Sequence, residues 1–195
     1  MVAEAEFNLV ARWSWWLVPA LAALVSPAVA LETFAAEGAC RDGEPNGAYT
    51  LRAGDGRLRV AGAFAKGRRT GTFIFWAERG ARIALIPYDN ERKFGTIALW
   101  YASTAPGADA RRKSEAAYVD DRLHGEKRSW HPNGNPRTDL RYERGELVSA
   151  RAWTASGVAL PEAEAREMAA RDVVTDEQFY ATLEALVAEH RPVCE

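Results

Sequence analysis

The chain has 195 residues, 48% of them apolar, enough for one domain with a moderate core. Its formal net charge of −2 excludes attraction of the whole protein to nucleic acid. The charge is unevenly placed: residues 41–160 hold 21 Lys and Arg against 14 Asp and Glu, while residues 161–195 hold 3 against 9. A basic body with an acidic tail suggests that the tail folds back onto the body.

The first element is apolar. "RWSWWLVPALAALVSPAVA" carries Arg12, an uncharged stretch from Trp13 to Val25, and then Ala28-Val29-Ala30, a small-residue pattern suited to a signal peptidase. As a helix that stretch extends about 20 Å, short of the ~30 Å hydrocarbon core of a membrane. A cleaved export signal over residues 1–30 is therefore expected rather than a permanent anchor, placing the mature chain in the periplasm or outside the cell. Glu4 and Glu6 stand where such a signal is normally positive, which points to translation from near Val10. Export also suits the two cysteines. Cys40 and Cys194 lie close to the two ends of the mature chain, and a disulfide between them would fasten both termini.

After an N-terminal segment over 31–42, the middle of the chain is periodic. Gly47, Gly71, Gly95 and Gly125 are spaced 24, 24 and 30 residues apart. Phe64, Tyr88, Tyr118 and Tyr142 step by 24, 30 and 24, and Trp76, Trp100, Trp130 and Trp153 by 24, 30 and 23. The shared long step marks one insertion, in "YASTAPGADARRK" at residues 101–113, within a tandem repeat. Segments such as "GTFIFW" and "GTIALW" read as strands. Gly80 and the Pro132-Asn133-Gly134 run mark one turn of each copy, and Gly145 marks another. Each copy is then a hairpin. The expected fold is mainly β: an elongated antiparallel sheet of tandem β-hairpins over 43–160, with a C-terminal helical segment packed on it.

The pattern of Gly, Trp, Gly and Tyr-x-x-Gly resembles the MORN-repeat-variant proteins of bacteria. The clearest copy is Gly125, Trp130, Gly134, Tyr142 and Gly145. In the copy with Gly71, Trp76, Gly80 and Tyr88, Glu91 replaces the last glycine; the copy with Gly95, Trp100 and Tyr118 loses its central turn glycine to the insertion. The first copy has Arg52 in place of the tryptophan, and Trp153 and Gly157 form a fading last one. The resemblance covers residues 43–158. It implies a binding scaffold without catalysis; some relatives are described as antitoxin-like, others are linked to membranes or protein partners.

Residues 161–195 supply the cover. "PEAEAREMAARD" starts with Pro161 at a helix entry, and a second helix over 176–190 is expected from the Thr175/Gln178 capping-box spacing. Phe179, Leu183, Leu186 and Val187 give that helix an apolar edge for the middle hairpins, leaving its acidic residues on the outer face beside the basic sheet. Both faces of the middle hairpins read as apolar, so both need covering.

Motifs for chemistry are absent. His124, His131 and His190 lack partners at metal-ligand spacing, and Gly54 and Gly56 lack the rest of a dinucleotide loop. Asp120 and Asp121 are adjacent, which puts them on opposite faces of a strand. No cofactor or metal and no enzymatic role is expected. The candidate binding residues are Arg57 and Arg59, together with Arg111, Arg112 and Lys113 at the base of the insertion. Trp76, Trp100 and Trp130 form a ladder expected to lie in the core. The expected function is an exported, non-catalytic scaffold for a protein or cell-envelope partner, with membrane contact open but no span after cleavage. The alternative is an antitoxin-like inhibitor of a protein in the cytoplasm.

Overall fold

The computed structural model describes residues 32–102 and 110–195. The expected export signal and most of the insertion, residues 103–109, lie outside the described residues. From Glu32 onward the strands are β1 (Phe34–Arg41), β2 (Glu44–Ala53), β3 (Leu58–Ala65), β4 (Arg68–Trp76), β5 (Arg82–Asp89), β6 (Arg92–Lys93), β7 (Gly95–Trp100), β8 (Arg112–Val119), β9 (Arg122–Trp130), β10 (Pro136–Glu143) and β11 (Glu146–Ala152). They form one open antiparallel sheet in chain order, with the short β6 paired to β5 just ahead of β7. The tandem hairpins expected from the periodicity are present. The segment 31–42 is not separate from them, because β1 pairs with β2 and forms the first edge of the sheet.

Tight turns close one rim of the sheet. At Asp42-Gly43, Lys66-Gly67, Asn90-Glu91, Asp120-Asp121 and Arg144-Gly145 both residues have positive φ, the two-residue geometry that matches the twist of paired strands. Glu91, at φ 79, stands where glycine would be unstrained. Its carboxylate accepts from the Arg69 backbone N–H at 2.6 Å and from Arg69 Nε at 2.8 Å, which offsets the backbone cost. On the opposite rim, four loops repeat a single bond: Gly56 to Ala53, Gly80 to Ala77, Gly134 to His131 and Gly157 to Thr154.

Two irregularities recur in each copy. The repeat glycine lies in a register shift; Gly125, for instance, has φ 107, a conformation other residues rarely adopt. The second shift falls just after the opposite-rim loop. Trp76 pairs with Arg82 and Phe75 with Ala84, so Ile83 is an extra residue. Arg59, Lys113 and Arg137 occupy the same position in their copies. A one-residue bulge reverses the face to which a side chain belongs. All four of these residues turn to the side that carries the helix.

That inner face is the core. Leu51, Val60, Phe73, Phe75, Ile86, Ile97, Leu99 and Leu140 are buried there beneath one helix, α1 (Glu162–Glu189). Pro161 stands at its entry as expected, but the two expected helices are one. Thr175 is not a cap: its hydroxyl donates to the Arg171 carbonyl within the helix. The buried stripe is Ala165, Ala169, Asp176, Tyr180, Leu183 and Val187, with Phe179 and Leu186 half-buried at its margin. A helix of 28 residues is about 42 Å long, and ten adjacent strands span about 43 Å. The lid therefore reaches across the sheet. Its start lies by β10 and β11, and the residues just after its end meet β1 and β2.

Candidate functional site

The inner face is closed by matched charge. Asp172 is bonded by Arg137, with Nη2 at 2.9 Å from Oδ1. Asp176 is bonded by Lys127, with Lys113 Nζ at 3.6 Å. Glu177 accepts from Lys93 at 2.6 Å and from the Tyr118 hydroxyl at 2.8 Å. Glu184 accepts from the Tyr88 hydroxyl at 2.8 Å and lies 3.3 Å from Arg69. These acidic residues were expected on the outer side of the helix. They face inward because the bulge lysine and arginine, with Lys93 and Lys127, line the inner face of the sheet. Lys127 and Asp176 are 1% and 4% exposed, so neither charge has water to fall back on.

Tyr49, Tyr88 and Tyr118 fasten the same lid. Tyr49 donates to the His190 carbonyl at 3.0 Å, beyond the end of α1. Burial pushes the hydroxyls of Tyr49 and Tyr142 up to about 12, and those of Tyr88, Tyr118 and Tyr180 higher still. Cys40 and Cys194 form the expected disulfide, with Cα atoms 5.7 Å apart, binding the chain end beyond α1 to the edge strand β1.

The other face has no such cover among the described residues. One row of cross-strand partners runs over it from Ala61 through Ile74, Leu85 and Ala98 to Glu115, Arg128, Asp139 and Arg151. The row is apolar on β3 to β7 and alternates in charge from β8 to β11. Both faces of the middle hairpins were expected to be covered, but α1 covers only one, and Ile74 and Leu85 remain half-buried.

Beside that row, along the rim of longer loops, runs a stripe drawn from successive strands: Trp76, Arg82, Trp100, Arg112 and Trp130. The tryptophans were expected in the core. They are half-buried on the outer face instead, because each follows an inward residue (Phe75, Leu99 or Ser129) in regular alternation. The Arg82 guanidinium carbon is 4.3 Å and that of Arg112 4.4 Å from the Trp100 ring centroid. The two arginines come from the strands on either side of β7, so the indole stands between two cations.

The residues nominated from the sequence divide between the faces. Arg112 belongs to the stripe and also pairs with Glu115 at 2.8 Å. Arg111 lies at the same rim and donates to the Pro132 carbonyl at 3.0 Å. Arg57 pairs with Asp55 at 3.2 Å and reaches the Glu78 carbonyl. Arg59 and Lys113 are bulge residues: Arg59 is engaged with Glu32, Phe34 and the Trp76 carbonyl, and Lys113 with Asp176. The bulge removes both from the outer surface. Arg82 and Asp176 were not singled out in the sequence, and Lys127 and Ser129, whose alternation with Trp130 reads as a wet face, are buried on the inner face instead. The 24-residue step from Gly71 to Gly95 does not mark them; strand register places Arg82 and Lys127, and the packing of α1 on the sheet places Asp176.

Enclosed space is small. A hollow of about 220 Å³ near the end of α1 is lined by Phe64, Arg69, Glu91, Glu184, Val187 and Arg191; Arg69 pairs with both glutamates, and Arg191 bonds the Gly67 carbonyl and lies over the Phe64 ring. Another, of about 310 Å³, lies on the outer face beside Thr96, Glu115 and Arg128. Among the described residues no group of three or more His, Cys, Asp or Glu could hold a metal ion, and no helix is long and apolar enough to cross a membrane. The histidines serve strand ends and the chain beyond α1: His131 bonds the Trp153 carbonyl, His124 accepts from the Arg144 N–H, and His190 bonds the Leu186 carbonyl. No protein-family model matches this chain, and a search among curated proteins finds no match.

Proposed function

We propose that the protein is an exported, non-catalytic scaffold of MORN-variant type that binds a protein or cell-envelope partner on the outer face of its sheet. The observation that carries this reading is the inequality of the two faces. The inner face has its charges paired and its apolar rows buried under α1, whereas the outer face presents Ile74, Leu85 and the Trp–Arg stripe with no covering element among the described residues. The Cys40–Cys194 bridge supports an oxidising compartment over the cytoplasm, and so favours this reading over a cytoplasmic antitoxin-like inhibitor.

Envelope fractionation tests it. The mature chain, with an N-terminus at Leu31 by mass measurement, is retained by envelope material. An Ile74→Asp, Leu85→Asp variant that keeps its fold is not retained. Equal retention of the two, or a mature chain that still carries residues 10–30, would sink the proposal.

A further inference from the structure

We infer that the Trp–Arg stripe is a binding site for an acidic polysaccharide laid across the strands; this rests on the scaffold reading above and names its ligand class. Trp76, Arg82, Trp100, Arg112 and Trp130 come from five consecutive strands of the sheet path. At the usual strand spacing the backbones of Arg82 and Arg112 are about 9.6 Å apart and the stripe is about 19 Å long; their guanidinium carbons, stacked on the one indole, are at most about 8.7 Å apart. Cations therefore recur every second strand, with an indole between them. A polysaccharide with a carboxylate on alternate sugars repeats on the same length scale, its disaccharide. It offers anions to the guanidiniums at the interval the stripe sets.

The two arginines are held ready for such a ligand. Each stacks on Trp100, which removes much of the side-chain freedom that binding would otherwise cost. Arg82 has no carboxylate partner among the described residues, and Arg112 shares its charge with Glu115 alone. Arg111, at the same rim, donates to the Pro132 carbonyl. Rival occupants fit less well. The stripe lies on a face where each strand is already paired with its neighbours, so it offers no backbone ladder to an extended peptide. Single-stranded nucleic acid needs open ring faces for its bases, and those of Trp100 are taken by guanidiniums.

The test is calorimetric titration of the mature, disulfide-bonded chain at physiological ionic strength. The probes are a hyaluronan oligosaccharide, which carries carboxylates on alternate sugars, neutral cellohexaose, poly-glutamate and oligothymidylate. Hyaluronan is expected to bind, cellohexaose not to, and the other two polyanions to bind at least about tenfold more weakly. Arg82→Ala and Arg112→Ala, with unchanged circular dichroism, each weaken hyaluronan binding about tenfold or more. Arg122→Ala, on the opposite rim, leaves it unchanged. Absence of hyaluronan binding, equal binding of poly-glutamate or oligothymidylate, or equal loss with Arg122→Ala would overturn the inference. If envelope retention survives while hyaluronan fails, the ligand class is wrong and the scaffold reading stands; if both fail, both are wrong.

Discussion

Asp176→Leu is the sharpest perturbation of the lid. It removes the carboxylate that neutralises Lys127, which is 1% exposed and has no other ion-pair partner among the described residues. Leaving a buried ammonium unpaired costs about 3–5 kcal/mol, which at a typical slope of about 2 kcal/mol per molar lowers the urea midpoint by about 1.5–2.5 M. Lys127→Met should cost less, about 1–3 kcal/mol, because Asp176 keeps Lys113 Nζ at 3.6 Å. The double variant replaces both charges with apolar groups of similar length and should return to within about 1 kcal/mol of wild type. Urea unfolding followed by circular dichroism and tryptophan fluorescence gives all four values. If the two single costs simply add in the double variant, or if Asp176→Leu costs under about 1 kcal/mol, the buried pair does not hold the lid as described.

Alkali should loosen the same interface. Tyr49 and Tyr142 ionise near 12 in the folded chain and near 10 when unfolded, so their contribution is full below pH 10 and is lost between about pH 10 and 12. Each accounts for roughly 2–3 kcal/mol over that window, so stability measured against pH should fall steeply there; a flat profile would contradict the burial of these hydroxyls. Reducing the Cys40–Cys194 bridge, which spans 154 residues, should cost about 5 kcal/mol and speed hydrogen exchange in residues 186–195 ahead of the β5–β9 strands. Gly125→Ala would force φ 107 on an alanine and bring its Cβ to 3.3 Å from that of Ala117, costing about 1–3 kcal/mol in a thermal melt.

The hairpins were legible because Gly71, Gly95 and Gly125 keep step with Tyr88, Tyr118 and Tyr142, and the structure pairs each of these glycines with the tyrosine of its own copy. What periodicity could not convey was face. The extra residue at Arg59, Ile83, Lys113 and Arg137 breaks the alternation by one position, so Lys113 and Arg137 meet the lid and Arg59 turns to the same side, against Phe34. The same blindness placed the tryptophans inside. Thr175, with Gln178 three residues on, read locally as a helix start. Val173 packs against the core and Asp176 is held by Lys127 and Lys113, so tertiary contacts carry the helix through. The stripe on the outer face needed cross-strand register, which joins Arg82 to Trp100 although they are 18 residues apart.

Site-specific photocrosslinking on envelope material locates the working surface directly. A photoreactive side chain at Thr96, exposed on the outer face of β7, is compared with one at Ala181, exposed on α1. Adducts from position 96 and none from 181 are the expected result. Adducts from 181 alone would show that the helix, and not the open face of the sheet, meets the partner.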